Sequence, residues 1–169
     1  MAQEIDSYIS FKLGEEYFAI NVAKVLNILQ LSKITKVPTA PDYMKGVINL
    51  RGTVLPVIDI RLKFGMDPIE FTRDTVILVL NVKIENETVN AGILVDSVQE
   101  VFEIKPEELL PPPGMGAKYK SKFIFGMYKL NEDTFVMNLD IDKIFSGEEL
   151  VMINEGAQSQ ESENAEVIE

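Results

Sequence analysis

Paired carboxylates are the residues here whose type and spacing suggest chemistry: Asp140 with Asp142, Glu107 with Glu108, and Glu148 with Glu149, together with Asp59 closing an apolar run. A general acid–base pair or a hard cation needs such oxygens to converge with a second partner. None of these pairs sits in a pattern that supplies one. The chain has no histidine and no cysteine, which removes imidazole and thiolate as nucleophile, base, metal ligand or phosphoryl acceptor. Phosphate-cradling loops of the GxGxxG or GxxxxGK[ST] kind are missing too. Asp59 and Asp140 each precede a short apolar pattern, beginning at Ile60 and Ile141, so both read as helix N-caps rather than as phosphoacceptor or metal ligands. The methionines read as core filler or adaptable contact surface. No cofactor, no metal and no enzymatic activity is expected.

What remains is surface, and one residue on it stands out. Gly46 to Asp59 holds two β-rich apolar runs around a break, Leu50-Arg51-Gly52-Thr53, which reads as a tight hairpin because Gly52 can take a positive φ at no steric cost. Arg51 places a cation at the tip of two greasy strands. Taken alone, it reads as a solvated turn residue.

Length and charge bound the rest. A chain of 169 residues with 46% apolar content can bury a real core, and no run approaches a membrane-spanning length. The start, Met1-Ala2-Gln3-Glu4, has no signal-peptide character, so a cytoplasmic protein is expected. The formal charge is −11, against what a nucleic-acid binder needs. From Glu148 onward there are seven acidic residues and no lysine or arginine, which leaves 20 acidic against 16 basic residues before it. Gly156 to Glu169 has too little apolar surface to offset ordering and is expected to be a disordered acidic tail.

The elements are short. Tyr8 to Leu13 alternates as a strand, Tyr17 to Ile20 returns as its hairpin partner, and Asn21 to Lys24 reads as a helical turn or a bulge before an apolar run from Val25 to Leu31. Ile60 to Gly65 reads as a short helix, and Thr75 to Leu80 as a buried central strand. Thr88 to Val95 follows a turn at Asn86-Glu87, and Val98, Val101 and Ile104 continue an apolar face. Pro106 to Glu108 suggests a helical turn, Pro111 to Gly114 a stiff loop, and Phe123 to Leu139 a further hairpin around Asn131-Glu132-Asp133. Ile141, Ile144 and Phe145 read as a terminal helix.

Two stretches repeat in the same order, 73 to 81 residues apart. Phe18 to Val22 and Val25 to Ile28 return as Ala91 to Val95 and Val98 to Val101; Gly46 to Leu50 and Thr53 to Ile60 return as Gly126 to Leu130 and Thr134 to Ile141. Two echoes in order favour a duplicated β unit. Many short strands with Gly and Pro punctuation then indicate a mostly all-β chain of two small barrels or sandwiches sharing a core.

The stretches Phe11 to Ile20, Val37 to Gly52 and Val54 to Arg61, continued through Gly92 to Val98 and Leu139 to Ile144, resemble the bacterial chemotaxis coupling family CheW. Pro-x-x-Pro, Gly-Val-Ile-Asn-Leu-Arg-Gly and Pro-Val-Ile-Asp together carry the resemblance, which spans about residues 7–150. It implies a non-catalytic scaffold of two SH3-like five-stranded β-barrel subdomains sharing an apolar core, with short helices including one near the C-terminus. Residues 1–155 would form this domain and 156–169 the tail. The implied partners are the cytoplasmic tip of methyl-accepting chemotaxis receptors, lying in the groove between subdomains, and the regulatory domain of the histidine kinase CheA, docked barrel to barrel. The protein would then be recruited to membrane-associated arrays. By position, Val25, Asn27, Ile28, Gly46, Arg51, Val76 and Gly92 fall on partner-binding positions of the family. Asn27 stands where many members carry glutamate, which leaves its amide as the expected partner of Arg51. The alternative reading is a CheW-like regulatory domain of a kinase, or of a coupling–receiver fusion; against it, the chain runs from a start methionine into an acidic tail with no receiver pattern.

Overall fold

The computed structural model describes residues 6–84, 86–111 and 123–145. Ten strands and two single-turn α-helices follow in the order β1 (Asp6–Leu13), β2 (Glu16–Asn21), β3 (Val25–Gln30), β4 (Met44–Leu50), β5 (Thr53–Asp59), α1 (Ile60–Lys63), β6 (Val76–Ile84), β7 (Glu87–Val95), β8 (Ser97–Ile104), β9 (Ile124–Asn131), β10 (Thr134–Leu139) and α2 (Ile141–Ile144). Short 3-10 turns occupy Val22–Lys24 and Pro106–Glu108. The loop expected at Pro111 to Gly114 lies outside the described residues from Pro112 on, as does the acidic tail.

The strands form two five-stranded sheets, in the orders β8-β1-β2-β10-β9 and β3-β6-β7-β5-β4. These orders are the same topology twice, displaced by five strands. Each set takes its leading hairpin from one half of the chain and its other three strands from the other half. The duplicated unit is therefore not one barrel. Each copy of the repeat lends its first hairpin to the other copy, and the interior parallel pairings β10·β2 and β5·β7 are the seams of that exchange. Register follows the repeat: Val57 pairs with Gly92, and its counterpart Asn138 pairs with Ala19.

Each sheet closes on itself. Beyond β3, Thr35 exchanges backbone hydrogen bonds of 2.9 and 2.8 Å with Val47 on β4; beyond β8, Leu110 does the same with Met127 on β9, at 2.8 and 3.0 Å. The architecture is thus two SH3-like barrels, called here barrel 1 (β1, β2, β8–β10) and barrel 2 (β3–β7). Gly46 sits at the closure of barrel 2 with φ 147°, and a Cβ there would overlap the Thr35 carbonyl.

Both faces of the middle strands are covered, which is why Val76 to Leu80 reads as a continuous apolar run. On β6, Ile77 and Val79 fill barrel 2 with Ile48, Leu55, Val57 and Leu94, while Leu78, Leu80 and Val82 face the other barrel. There they meet Ile9, Phe11, Leu13, Phe18 and Ile20 in one apolar cluster common to both barrels. A ladder of rings, Phe11–Phe18–Phe64–Phe123, runs through it at centroid spacings of 5.7–5.9 Å. The inside of barrel 1 is poorer: Tyr8, Ala19, Ile104 and Val136, with Ser10 and Asn138 also buried. Val101 departs from the expected apolar face. It is 59% exposed on the outside of β8.

Two ion pairs pin the exchange. Arg61 of α1 donates to the Asp96 carboxylate at 2.7 Å, and the same carboxylate oxygen accepts from the Gly14 backbone at 2.6 Å. In the other half, Asp142 of α2 binds Lys24 at 2.8 Å and accepts from the Lys83 backbone at 2.8 Å. The two sets occupy equivalent places: the helix after a hairpin, the crossover between barrels, and the end of a leading hairpin. The charges are swapped between them. Arg61 and Asp96 are largely buried, whereas Lys24 and Asp142 keep about a third of their side-chain surface exposed. Removing a partner from a buried pair strands a charge, while an exposed pair contributes little.

Three outcomes follow for stability. Arg61→Ala should cost about 3 kcal/mol and Lys24→Ala less than about 1 kcal/mol in urea unfolding. Asn138 is fully buried with both amide atoms unpartnered among the described residues, where barrel 2 has Val57. Asn138→Val should therefore raise the unfolding free energy by about 1–2 kcal/mol, and a lower midpoint would mean the amide has a partner. Asp59 caps α1 by accepting from the Arg61 amide at 3.0 Å, as its place before Ile60 suggests. Burial pushes its carboxyl above the ordinary value, against the opposing pull of that backbone hydrogen bond and of Lys45. A raised folded-state pKa means the fold favours protonated Asp59, so its contribution is largest below about pH 4 and declines as pH rises through the raised value. Asp59→Asn keeps an acceptor without the charge. It should match or exceed the parent at pH 7, with the advantage shrinking toward pH 4, whereas Asp59→Ala should lose about 1 kcal/mol of capping at both.

Candidate partner-binding surface

The β4–β5 hairpin has the two-residue loop expected of it, with Leu50 paired to Thr53. Both loop residues have positive φ, Arg51 at 54° and Gly52 at 85°. This is the primed turn whose twist matches the strands, and Asn49 ties it by accepting from the Gly52 amide at 2.8 Å. Glycine takes such a conformation freely, and asparagine tolerates it. An arginine there is strained by about 1 kcal/mol. Arg51 is exposed, and no ion pair within the described residues holds its guanidinium. The equivalent tip on barrel 1 carries Glu132-Asp133, so the two barrels present opposite charges at matching places.

Asn27 is not the partner of Arg51. Its side-chain oxygen accepts from the Ile28 amide at 2.8 Å, spending itself on its own strand. That strand, β3, bonds only to β6 along its length, and its burial alternates. Val25, Asn27 and Leu29 are half-buried, while Leu26 and Ile28 stand out at 52% and 45% exposure. Val22, in the turn before it, adds 38%. An apolar strip along an edge strand is a surface that binding would bury. Leu26 belongs to it, and the residue types conceal this, because in Val25–Gln30 the apolar Leu26 and Ile28 face outward while Asn27 faces inward.

The remaining positions divide differently. Val25 and Val76 lie at opposite ends of the β3–β6 pairing and both pack against the shared core from its margin. Gly46 and Gly92 are buried. A Cβ on Gly92 would come within 2.7 Å of Ile77, inside barrel 2. Both are positions where the fold packs too closely for a side chain, against the Thr35 backbone at Gly46 and the Ile77 side chain at Gly92. The structure brings together Leu26, Ile28 and Val22 on one strip and leaves Arg51 on a separate hairpin tip.

Among the described residues, no three or more His, Cys, Asp or Glu side chains cluster to hold a metal. Asp140 and Asp142 do not converge on one; Asp140 caps α2 and Asp142 is engaged by Lys24 and Lys83. No described helix is long and apolar enough to cross a membrane.

The chain matches the family model of the CheW-like domain over residues 7–149. It is 33% identical over 152 residues to the chemotaxis protein CheW of Klebsiella aerogenes, covering 90% of this chain and 89% of that one. The chemotaxis protein CheW of Helicobacter pylori is 34% identical over 142 residues, 84% of this chain and 82% of its own. A solved structure of the scaffolding protein TtCheW from Thermoanaerobacter tengcongensis superposes with a TM-score of 0.75 at 28% identity, over 88% of this chain and 92% of that one. With the doubled, hairpin-exchanged barrels and the Asn-Leu-Arg-Gly turn in place, the chain belongs to the CheW family.

Proposed function

We propose that this protein is a non-catalytic adaptor that couples methyl-accepting chemoreceptors to the histidine kinase CheA in a membrane-associated signalling array. The observation that carries this reading is Arg51: a cation kept exposed, without an ion pair among the described residues, at a left-handed turn position that asparagine or glycine would fill with less strain. Strain retained on a surface turn points to a use outside the fold. The apolar strip of Val22, Leu26 and Ile28 supports it, since protein interfaces combine a central apolar patch with aromatic, methionine or arginine anchors. Family membership supplies the class of partner. The Thermoanaerobacter relative is itself a scaffolding protein, which is consistent with this role. In this reading Arg51 and the β3 strip make the contacts, Val25, Asn27 and Val76 set the strip's shape, and Gly46 and Gly92 act only by keeping barrel 2 closed.

Arg51→Asn separates stability from function. Asparagine suits the first position of the primed turn, so the variant should gain about 0.5–1 kcal/mol in urea unfolding. In arrays reconstituted from receptor signalling fragments and CheA, the same variant should co-sediment about tenfold more weakly, as loss of an interface anchor implies, and should activate the kinase less. Full activation by the stabilised variant would overturn the assignment of Arg51. Gly46→Asp should fail differently, by lowering the melting temperature.

A further inference from the structure

A groove of about 330 Å³ opens on barrel 2 where the chain leaves β3, lined by Leu31, Ser32, Ile34, Lys36, Lys45 and Phe71. Its floor is apolar and Phe71 is 43% exposed within it. Two lysines stand on its rim. Lys45 leans toward Asp59 at 4.0 Å, and Lys36 forms no ion pair with a described residue. Nothing in the CheW reading of Arg51 or of the β3 strip uses this groove. It fits an extended segment with an apolar centre and carboxylates at its ends.

The chain carries one such segment. Glu148-Glu149-Leu150-Val151-Met152-Ile153-Asn154-Glu155 places four apolar residues between acidic ones, in a region with no lysine or arginine. The reach is suitable. Asp142 ties α2 to Lys24 at the head of β3, and the groove lies beyond the far end of that strand, starting at Leu31. From Lys24 to Leu31 a strand covers about 23 Å. Counted from Phe145, Leu150 to Ile153 fall about 17–27 Å along an extended chain. An extended chain is therefore long enough to bring the apolar run to the groove, with acidic residues of a charge complementary to the two lysines.

We infer that the groove of barrel 2 is an intramolecular docking site for the acidic–apolar segment Glu148–Glu155. A partner approaching Lys36, Lys45 and Phe71 must then displace a ligand that the protein carries itself. The inference stands independently of the receptor–kinase reading.

The absence of cysteine makes the test direct. In the full-length protein, Ser32→Cys with Met152→Cys places one thiol in the groove and one in the segment. Lys129→Cys with Met152→Cys is the control, on β9 of the other barrel. Under mild oxidation the groove pair should form an intramolecular disulfide at least about tenfold faster than the control, as a docked segment raises effective concentration. Adding Glu148→Lys and Glu149→Lys, or raising the salt to 1 M, should bring the rate toward the control. Equal rates for the two pairs would overturn the inference. So would a purely intermolecular product, which would mean that the segment seeks a second copy.

Discussion

The exchange of leading hairpins is the constraint on which the rest of this structure depends. Because β1 and β2 complete the barrel built from β8–β10, and β6 and β7 complete the one built from β3–β5, neither half of the chain contains a full barrel. Phe11, Phe18, Leu78, Leu80 and Ile93 are consequently lined up on the faces where the barrels meet. The apolar cluster between barrels is as much a product of connectivity as of hydrophobicity. Separating the barrels would expose it, so the two behave as one domain although each is closed by its own bridge.

The helical turns and crossovers join the halves in that arrangement, and two ion pairs gather there. Arg61 with Asp96, and Asp142 with Lys24, fasten the same three elements in the two halves with the signs reversed. Reversal preserves attraction within each pin, but it makes the two sites chemically distinct. One is largely buried and the other partly wet, although each carboxylate also accepts from a backbone amide, Gly14 in the first and Lys83 in the second. The same divergence shows inside the barrels, where Val57 of one corresponds to Asn138 of the other, whose amide has no partner among the described residues. Duplication set the frame, and the copies have since become unequal in core, in pins and in hairpin tips.

That inequality is where function can reside. Two identical barrels would offer two identical faces, whereas an adaptor must hold unlike partners. Barrel 2 presents Arg51, Lys36 and Lys45, and barrel 1 presents Glu132, Asp133 and the exposed Val101, Phe125 and Phe135. Charge of opposite sign at equivalent places makes the two faces electrostatically distinct.

Much of this was legible in the residues. Strand positions, the tight turn at Arg51-Gly52, the caps at Asp59 and Asp140 and the repeat itself follow from local chemistry: alternation, φ preference and the hydrogen bonds a short side chain can reach. The family resemblance, resting on three motifs together, holds as well. Other features depend on which strands meet. That Gly46 and Gly92 are buried beneath neighbouring backbone and side chains, that Asn27 turns to Ile28 instead of Arg51, and that Leu26 faces solvent are outcomes of barrel closure and of which face β3 turns inward. The pairing of Arg61 with Asp96, 35 residues away, and of Lys24 with Asp142, 118 residues away, carries no periodic signal at all. By itself the sequence determined the elements and their duplication, because those depend on neighbours along the chain. Only the tertiary structure decided which half completes which barrel, since each leading hairpin offers an apolar face of similar length and neighbours along the chain do not say which three strands it will join.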